Sequence, residues 1–158
     1  MPSTAEHVAE IHAFLDEWHK AAAKGDFDFY FGSMTEDAHW LGTDAAENWS
    51  KSEFAAIAKP RFDSKQAWDF TAVERNVYVQ ANGTFAWFDE VLDTWMKACR
   101  GSGVLEKVEG QWKVHHYVLS MTVPNGEGKE ELKREILPFK GKYEDSMLAE
   151  MRKKPKHN

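Results

Sequence analysis

Residues 85–123 constrain this chain most, because they contain three long runs dense in aromatic and branched residues, at 85–96, 99–108 and 111–123. Runs of this length joined by short links fold as an antiparallel meander, so the core is a sheet. A period of two along the last run puts Trp112, Val114, His116, Val118 and Ser120 on one face. Lys113, His115, Tyr117, Leu119 and Met121 then fall on the other. Both faces carry bulky groups, whereas a sheet with one wet face alternates more cleanly. One face is therefore expected to meet helices and a cavity, and the other a second sheet or subunit. Among the ionisable residues set into this apolar stretch, Asp89, Asp93, His115 and His116 are the ones from which a functional argument starts.

A chain of 158 residues fits one domain that buries about two-thirds of its surface and needs no staple. Seven Trp in a 13% aromatic composition point to a ring-lined interior or pocket, with rings that only fill core as the plain alternative. The net charge of −6 argues against nucleic acid as the main partner, since phosphate contacts need clustered cations. Cys99 is the one cysteine, so no disulfide forms within the chain. Neither a leader-like apolar region nor a run long enough to cross a bilayer is present, which predicts a soluble, cytoplasmic protein with no membrane partner.

The order along the chain is helices first and strands after. Ser3-Thr4-Ala5-Glu6 has capping-box spacing, and Val8, Ile11, Leu15, Trp18 and Ala22 continue as a helical apolar stripe to Lys24-Gly25. Asp26 caps a second short helix through Phe27, Tyr30, Phe31 and Met34. Residues 38–41 form a brief strand, followed by a turn at Gly42-Thr43-Asp44. Ser50-Lys51-Ser52-Glu53 repeats the capping box and opens a third helix that should stop near Pro60. Residues 68–80 read as a strand leading through Asn82-Gly83 into the central sheet, and Glu109-Gly110 marks a second tight turn. The class is α+β. After Pro124-Asn125-Gly126 the pattern weakens to two weak helices, at 129–136 and 143–152, and a basic end. The expected division is a domain at 4–126 and a helical extension with a basic tail at 127–158.

With this order, Trp40-Leu41-Gly42-Thr43-Asp44, Ala86-Trp87-Phe88-Asp89, Arg100-Gly101-Ser102-Gly103-Val104-Leu105 and Trp112-Lys113-Val114-His115-His116-Tyr117 resemble the SnoaL-like branch of the nuclear transport factor two superfamily. The resemblance covers roughly residues 5–124. It implies a cone-shaped barrel, a curved antiparallel sheet wrapped around the first helix with a pocket at the open end, and dimerisation through the sheet in many members. It does not imply one chemistry, because the superfamily holds isomerases, cyclases, dehydratases and transport adaptors. By the same resemblance, Trp18 stands where the ketosteroid isomerases carry a catalytic Tyr, and their base position falls near Gly42. Their second acid falls near Ser102 or Gly103, so steroid isomerase chemistry is not supported. The dehydratase pattern of an Asp with two pocket His is met only in half, by Asp44 or Asp89 with His116.

Asp89 stands mid-strand between Trp87 and Val91, where apolar surroundings disfavour its charged form and suit a general base or ligand anchor. The structural alternative is a partner such as Arg75 or Arg100. His116 shares a face with Trp112 and Ser120 and can move a proton, or it can be a hydrogen-bonded core residue. The residues expected to line a pocket are Trp18, Tyr30, Trp40, Asp44, Trp87, Trp112 and Ser120, with Asp44 equally able to cap the helix that follows. His7, His12, His19 and His39 lack metal-ligand spacing, and Gly101-Ser102-Gly103 precedes no helix that would cradle phosphate, so no metal or cofactor is expected. The leading expectation is a homodimeric domain that binds a small apolar or aromatic molecule in an internal pocket. The alternatives are a lyase or isomerase with Asp89 and His116 as its acid–base pair, and a non-catalytic assembly module.

Overall fold

In the computed structural model, which describes residues 2–156, the Ser3 hydroxyl accepts from the Glu6 N–H and the Glu6 carboxylate accepts from the Ser3 N–H. This box opens helix α1 (Thr4–Lys24), which ends where Gly25 takes a φ of 74°. Ile11, Leu15, Trp18, His19 and Ala22 form its buried face. Asp26 accepts from the Phe29 N–H and caps α2 (Phe27–Gly32). Met34, expected to prolong that helix, instead begins strand β1 (Met34–Leu41). Gly32 weakens the helix there, and the Ser33 carbonyl is taken by the Val114 N–H of the sheet.

Strand β2 (Asn48–Ser50) leads into α3 (Lys51–Asp63), opened by the capping box at Ser50. The helix does not stop at Pro60 but runs on to Asp63. A mid-helix proline costs about 3 kcal/mol. The extra residues carry Phe62 into the core, only 1% exposed, against Phe27, Tyr30, Phe31 and Trp68, which offsets that cost.

Strands β3 (Thr71–Val79), β4 (Phe85–Thr94), β5 (Lys97–Val108) and β6 (Gln111–Met121) form the meander. The six-stranded sheet has the order β2-β1-β6-β5-β4-β3. It is mixed rather than wholly antiparallel, because β1 lies parallel to β6, a pairing made possible by the long connection through α3 and four strands. Glu109 (φ 51°) and Gly110 (φ 81°) make the tight β5–β6 turn, both in the left-handed region such a hairpin favours.

The alternation expected along β6 fails at one point. Val104 pairs with His116 but Leu105 pairs with Val114, so His115 is an extra residue, a bulge. Trp112 and Val114 face inward before it, and Tyr117 and Leu119 face inward after it. His116, Val118 and Ser120 are thereby turned to the outer face. On β4 the alternation is unbroken: Ala86, Phe88, Glu90, Leu92 and Thr94 are buried, while Trp87, Asp89 and Val91 point outward.

The chain divides into two compact units that part between Thr122 and Val123. The second contains a short turn (Gly126–Gly128), α4 (Lys129–Glu131), a π-helical segment (Leu132–Ile136) and α5 (Leu137–Lys153). None of the described helices is long and apolar enough to cross a membrane.

Candidate functional site

Between α1, α2, α3 and the inner face of the sheet, five rings form a closed loop. The centroid separations are 6.4 Å from His19 to Phe70, 6.3 Å to Trp68, 6.0 Å to Trp40, 5.9 Å to Tyr117 and 6.2 Å back to His19. Tyr30 packs beside the loop, stacked at 4.5 Å on Trp18 and edge-on at 5.6 Å to Trp68. Phe54 stacks at 4.3 Å on Trp40 and at 5.6 Å on Trp49, closing one side. Aromatic pairs at these separations hold one another's orientation as well as burying area.

One carboxylate sits in this aromatic interior. Glu90, 1% exposed, accepts from Arg75 Nε through Oε1 at 2.8 Å, and from the Tyr117 hydroxyl through Oε2 at 3.0 Å. His19 Nε2 lies 2.7 Å from the same Oε2. Arg75 is tied in turn to the His12 carbonyl at 3.1 Å and to Asp16 at 2.9 Å. Burial alone would raise the Glu90 carboxyl, but hydrogen bonding and charge from His19 and Arg75 outweigh it and hold the group below its ordinary range. Burial, with the Glu90 charge beside it, pushes the Tyr117 phenol well above 10, so it stays a donor. Burial likewise raises the Tyr30 phenol, against hydrogen bonding from the Trp40 and Trp68 indoles close to its hydroxyl. Gly101 makes the arrangement possible: a Cβ there would lie 2.2 Å from the Tyr117 hydroxyl and 2.8 Å from Glu90 Oε2.

Several polar atoms of this interior have no protein partner. The Nε1 atoms of Trp40 and Trp68, His19 Nδ1 and Arg75 Nη2 are all buried and unpaired. Buried polar groups are nearly always paired, so such atoms mark strain or the place of a bound water or ligand.

The residues singled out from sequence separate into an inner and an outer set. Trp18, Tyr30 and Trp40 meet in the interior. Trp112 is also inward but stands apart from the ring loop, edge-on to His7 at 5.4 Å beneath the Lys107 ammonium. It lines an open cleft of about 330 Å³ with Phe14 and Phe29. Trp87, Asp89, His116 and Ser120 lie on the outer face of the sheet, so Asp89 and His116 do not share the enclosed interior. Asp89 accepts from Asn76 Nδ2 at 2.9 Å. Burial lowers the His116 pKa, aided by the charges of His39 and His115. Trp87 is 50% exposed and stacks on Tyr78. Asp44 is exposed and accepts from the Ala46 N–H, a loop cap. Among the described residues no group of three or more His, Cys, Asp or Glu side chains is placed to hold a metal ion.

Glu90, His19 and Trp68 are not among the site residues expected from the sequence, and Arg75 enters there only as a partner for Asp89. A signal existed for two of them. Glu90 shares the period of Ala86, Phe88 and Leu92, although Asp89 shares that of Trp87 and Val91 equally, and His19 lies four residues after Leu15 on the apolar stripe of α1.

A profile of the SnoaL-like domain matches residues 11–124, most of the first unit. The chain belongs to the SnoaL-like domain family. Among curated proteins no sequence match is found. Solved structures similar to this SnoaL-like chain share its fold at low identity. An NTF2-like protein of unknown function from Pseudomonas putida matches 80% of this chain and 92% of its own, at 19% identity and a TM-score of 0.62. A protein of unknown function with a cystatin-like fold from Nostoc punctiforme matches 76% and 93%, at 12% identity and 0.59. A protein described only as a candidate dehydratase of the NTF2-like family, from Streptomyces avermitilis, matches 77% and 100%, at 12% identity and 0.67.

Proposed function

We propose that this SnoaL-like chain binds a small aromatic molecule in the interior of its cone, within the ring loop of His19, Tyr117, Trp40, Trp68 and Phe70. The observation that carries this is the pair of buried indole N–H groups, on Trp40 and Trp68, that reach toward the Tyr30 hydroxyl but complete no hydrogen bond to it or to another protein acceptor. Leaving such a donor unpaired costs about 1–3 kcal/mol, so a flat molecule with an acceptor at its edge gains from both ring contacts and the two donors. Trp49, half-buried, and Phe54 form the wall that such a molecule must displace to enter. Thermal unfolding of the full chain with a panel of small aromatic compounds tests this. A binder at a hundred times its Kd raises the midpoint by about 5–10 °C, and Trp40→Phe with Trp68→Phe reduces the rise. A panel that leaves the midpoint unmoved refutes it.

A second reading, that the site is catalytic, is favoured by one contact: His19 Nε2 at 2.7 Å from a buried carboxylate, the arrangement that orients an imidazole for proton transfer. In this reading the acid–base pair of a lyase or isomerase is Glu90 and His19 rather than Asp89 and His116. We also infer that two copies associate through the outer sheet face. Tyr117 and Leu119, assigned to that face from the sequence, are inside. The surface that supports association is instead Tyr78, Trp87, Val91, Val104 and Val118, an apolar area of a kind that rarely stays uncovered.

A further inference from the structure

We propose that the cleft between the start of α1, the β3–β4 turn and β5 is a binding site separate from the ring loop, and that it takes a phosphate-type oxyanion. The cleft, of about 330 Å³, is lined by Thr4 and His7 of α1, by Asn82 and Gly83 of the turn, and by Lys107 of β5. No carboxylate lines it among the described residues, in a chain that has 26 Asp and Glu against 20 Lys and Arg. The clefts beside Phe14 and Phe27 each mix carboxylates with lysines.

Two of the donors are fixed on one ring. Lys107 Nζ stands 5.3 Å over the Trp112 centroid, and His7 meets the same indole edge-on at 5.4 Å. Glu106, the neighbour of Lys107 on β5, turns to His115 instead of pairing with it. His7 is 7% exposed, and neither of its ring nitrogens has a hydrogen-bond partner among the described residues. Its Nδ1 lies 3.7 Å from Glu10 Oε2, beyond hydrogen-bond reach, and its Nε2 faces Gly83 at the cleft. Gly83, at a φ of 70°, has no side chain to cover that nitrogen: a Cβ there would lie 3.1 Å from Nε2. A buried imidazole with no partner, facing a cleft, marks the place of a bound group. Asn82 supplies a third donor, because its Oδ1 accepts from the Thr84 N–H at 3.0 Å and the Thr84 hydroxyl at 2.8 Å, which leaves its Nδ2 to the ligand. The acids of α1 are held away: Glu6 is folded back on the Ser3 N–H, and Glu10 is on the Nδ1 side of His7. The amino end of α1 then adds its dipole to the same cleft. Donors from three elements suit an anion with oxygens in several directions, which a tetrahedral oxyanion has and a planar carboxylate has not.

The test is a titration of inorganic phosphate and, in a second arm, of glycerol 2-phosphate into the full chain at constant ionic strength. It is followed by the NMR resonances of the His7 ring and of the Asn82 and Gly83 backbone amides. Both anions should shift these resonances to saturation, whereas sodium chloride at the same ionic strength should not. Tighter binding of the ester supports a phosphorylated molecule as the occupant, and equal binding supports free phosphate. Lys107→Gln should weaken phosphate at least about tenfold, the loss of one hydrogen bond to a charged group, while Lys113→Gln, in the cleft beside Phe14, stays within about twofold of wild type. Shifts in the wild type that never saturate, shifts matched by sodium chloride, or equal weakening in the two variants overturn the site.

Discussion

Gly101 has no side chain because Tyr117 and Glu90 occupy the space it would fill. Gly101→Ala should cost about 1–3 kcal/mol, the usual range for an overpacked core, with the clash at the Tyr117 hydroxyl as the cause. Tyr117→Phe removes that oxygen, so in urea denaturation the double variant should be more stable than the sum of the two single losses implies. Glu90→Ala leaves the Arg75 guanidinium, whose side chain is 4% exposed, without its buried partner and should cost about 3–5 kcal/mol. Glu90→Gln tests the charge alone. The Glu90 carboxyl is held below its ordinary value of 4.5 in the folded chain, so its contribution is complete above 4.5 and is lost as pH falls through the depressed value. Stability measured from pH 7 to pH 3 should therefore fall less steeply in the Gln variant. Glu36, held low by the Lys51 hydrogen bond, and Glu53, held low by Ser50, titrate in the same sense in both proteins and do not account for the difference.

The helices were legible because their signals are local. Both capping boxes, the Gly25 cap and the stripe through Ile11, Leu15 and Trp18 stand in the sequence as they do in the fold. Pro60 misled because the burial of Phe62, which keeps α3 going, is a tertiary effect. The faces of the sheet were legible only in part. On β4 the outward Trp87 and Val91 are as apolar as the inward Phe88 and Leu92, so Asp89 and Glu90 could not be told apart by polarity. On β6 the extra residue at His115 is set by pairing with β5, and from there the count of two inverts. This places His116 outside and Tyr117 inside. Changes at and near His115 should differ sharply. His115→Ala removes a side chain bonded to Thr35 at 2.8 Å and should cost about 1 kcal/mol. Deleting residue 115 removes the extra residue, so Trp112, Val114, Tyr117 and Leu119 all keep inward positions on a regular ladder. Deleting Val118, which is paired with Ser102, instead forces Tyr117 or Leu119 out of the core. By circular dichroism the deletion at 115 should keep a cooperative thermal transition that the deletion at 118 loses, and the reverse outcome would refute the bulge.

At the scale of the whole molecule, the same sheet serves two surroundings: an inner face that carries a buried carboxylate among rings, and an outer face with Trp87 and Tyr78 stacked at 5.8 Å. If two copies pair there, Trp87→Glu should reduce the particle seen by light scattering to 18.1 kDa. Association should also weaken on acidification: the His116 pKa lies below 6.5, so its imidazole is neutral at pH 7 and gains charge on this face as pH falls through the lowered value. The indole N–H resonances of the seven Trp report on the inner face. On addition of p-cresol, the resonances of Trp40 and Trp68 should shift progressively to saturation, while that of Trp95, 79% exposed, stays in place. Saturating shifts confined to Trp95 or Trp87, or no shift of Trp40 and Trp68 at millimolar p-cresol, would contradict an aromatic-binding interior.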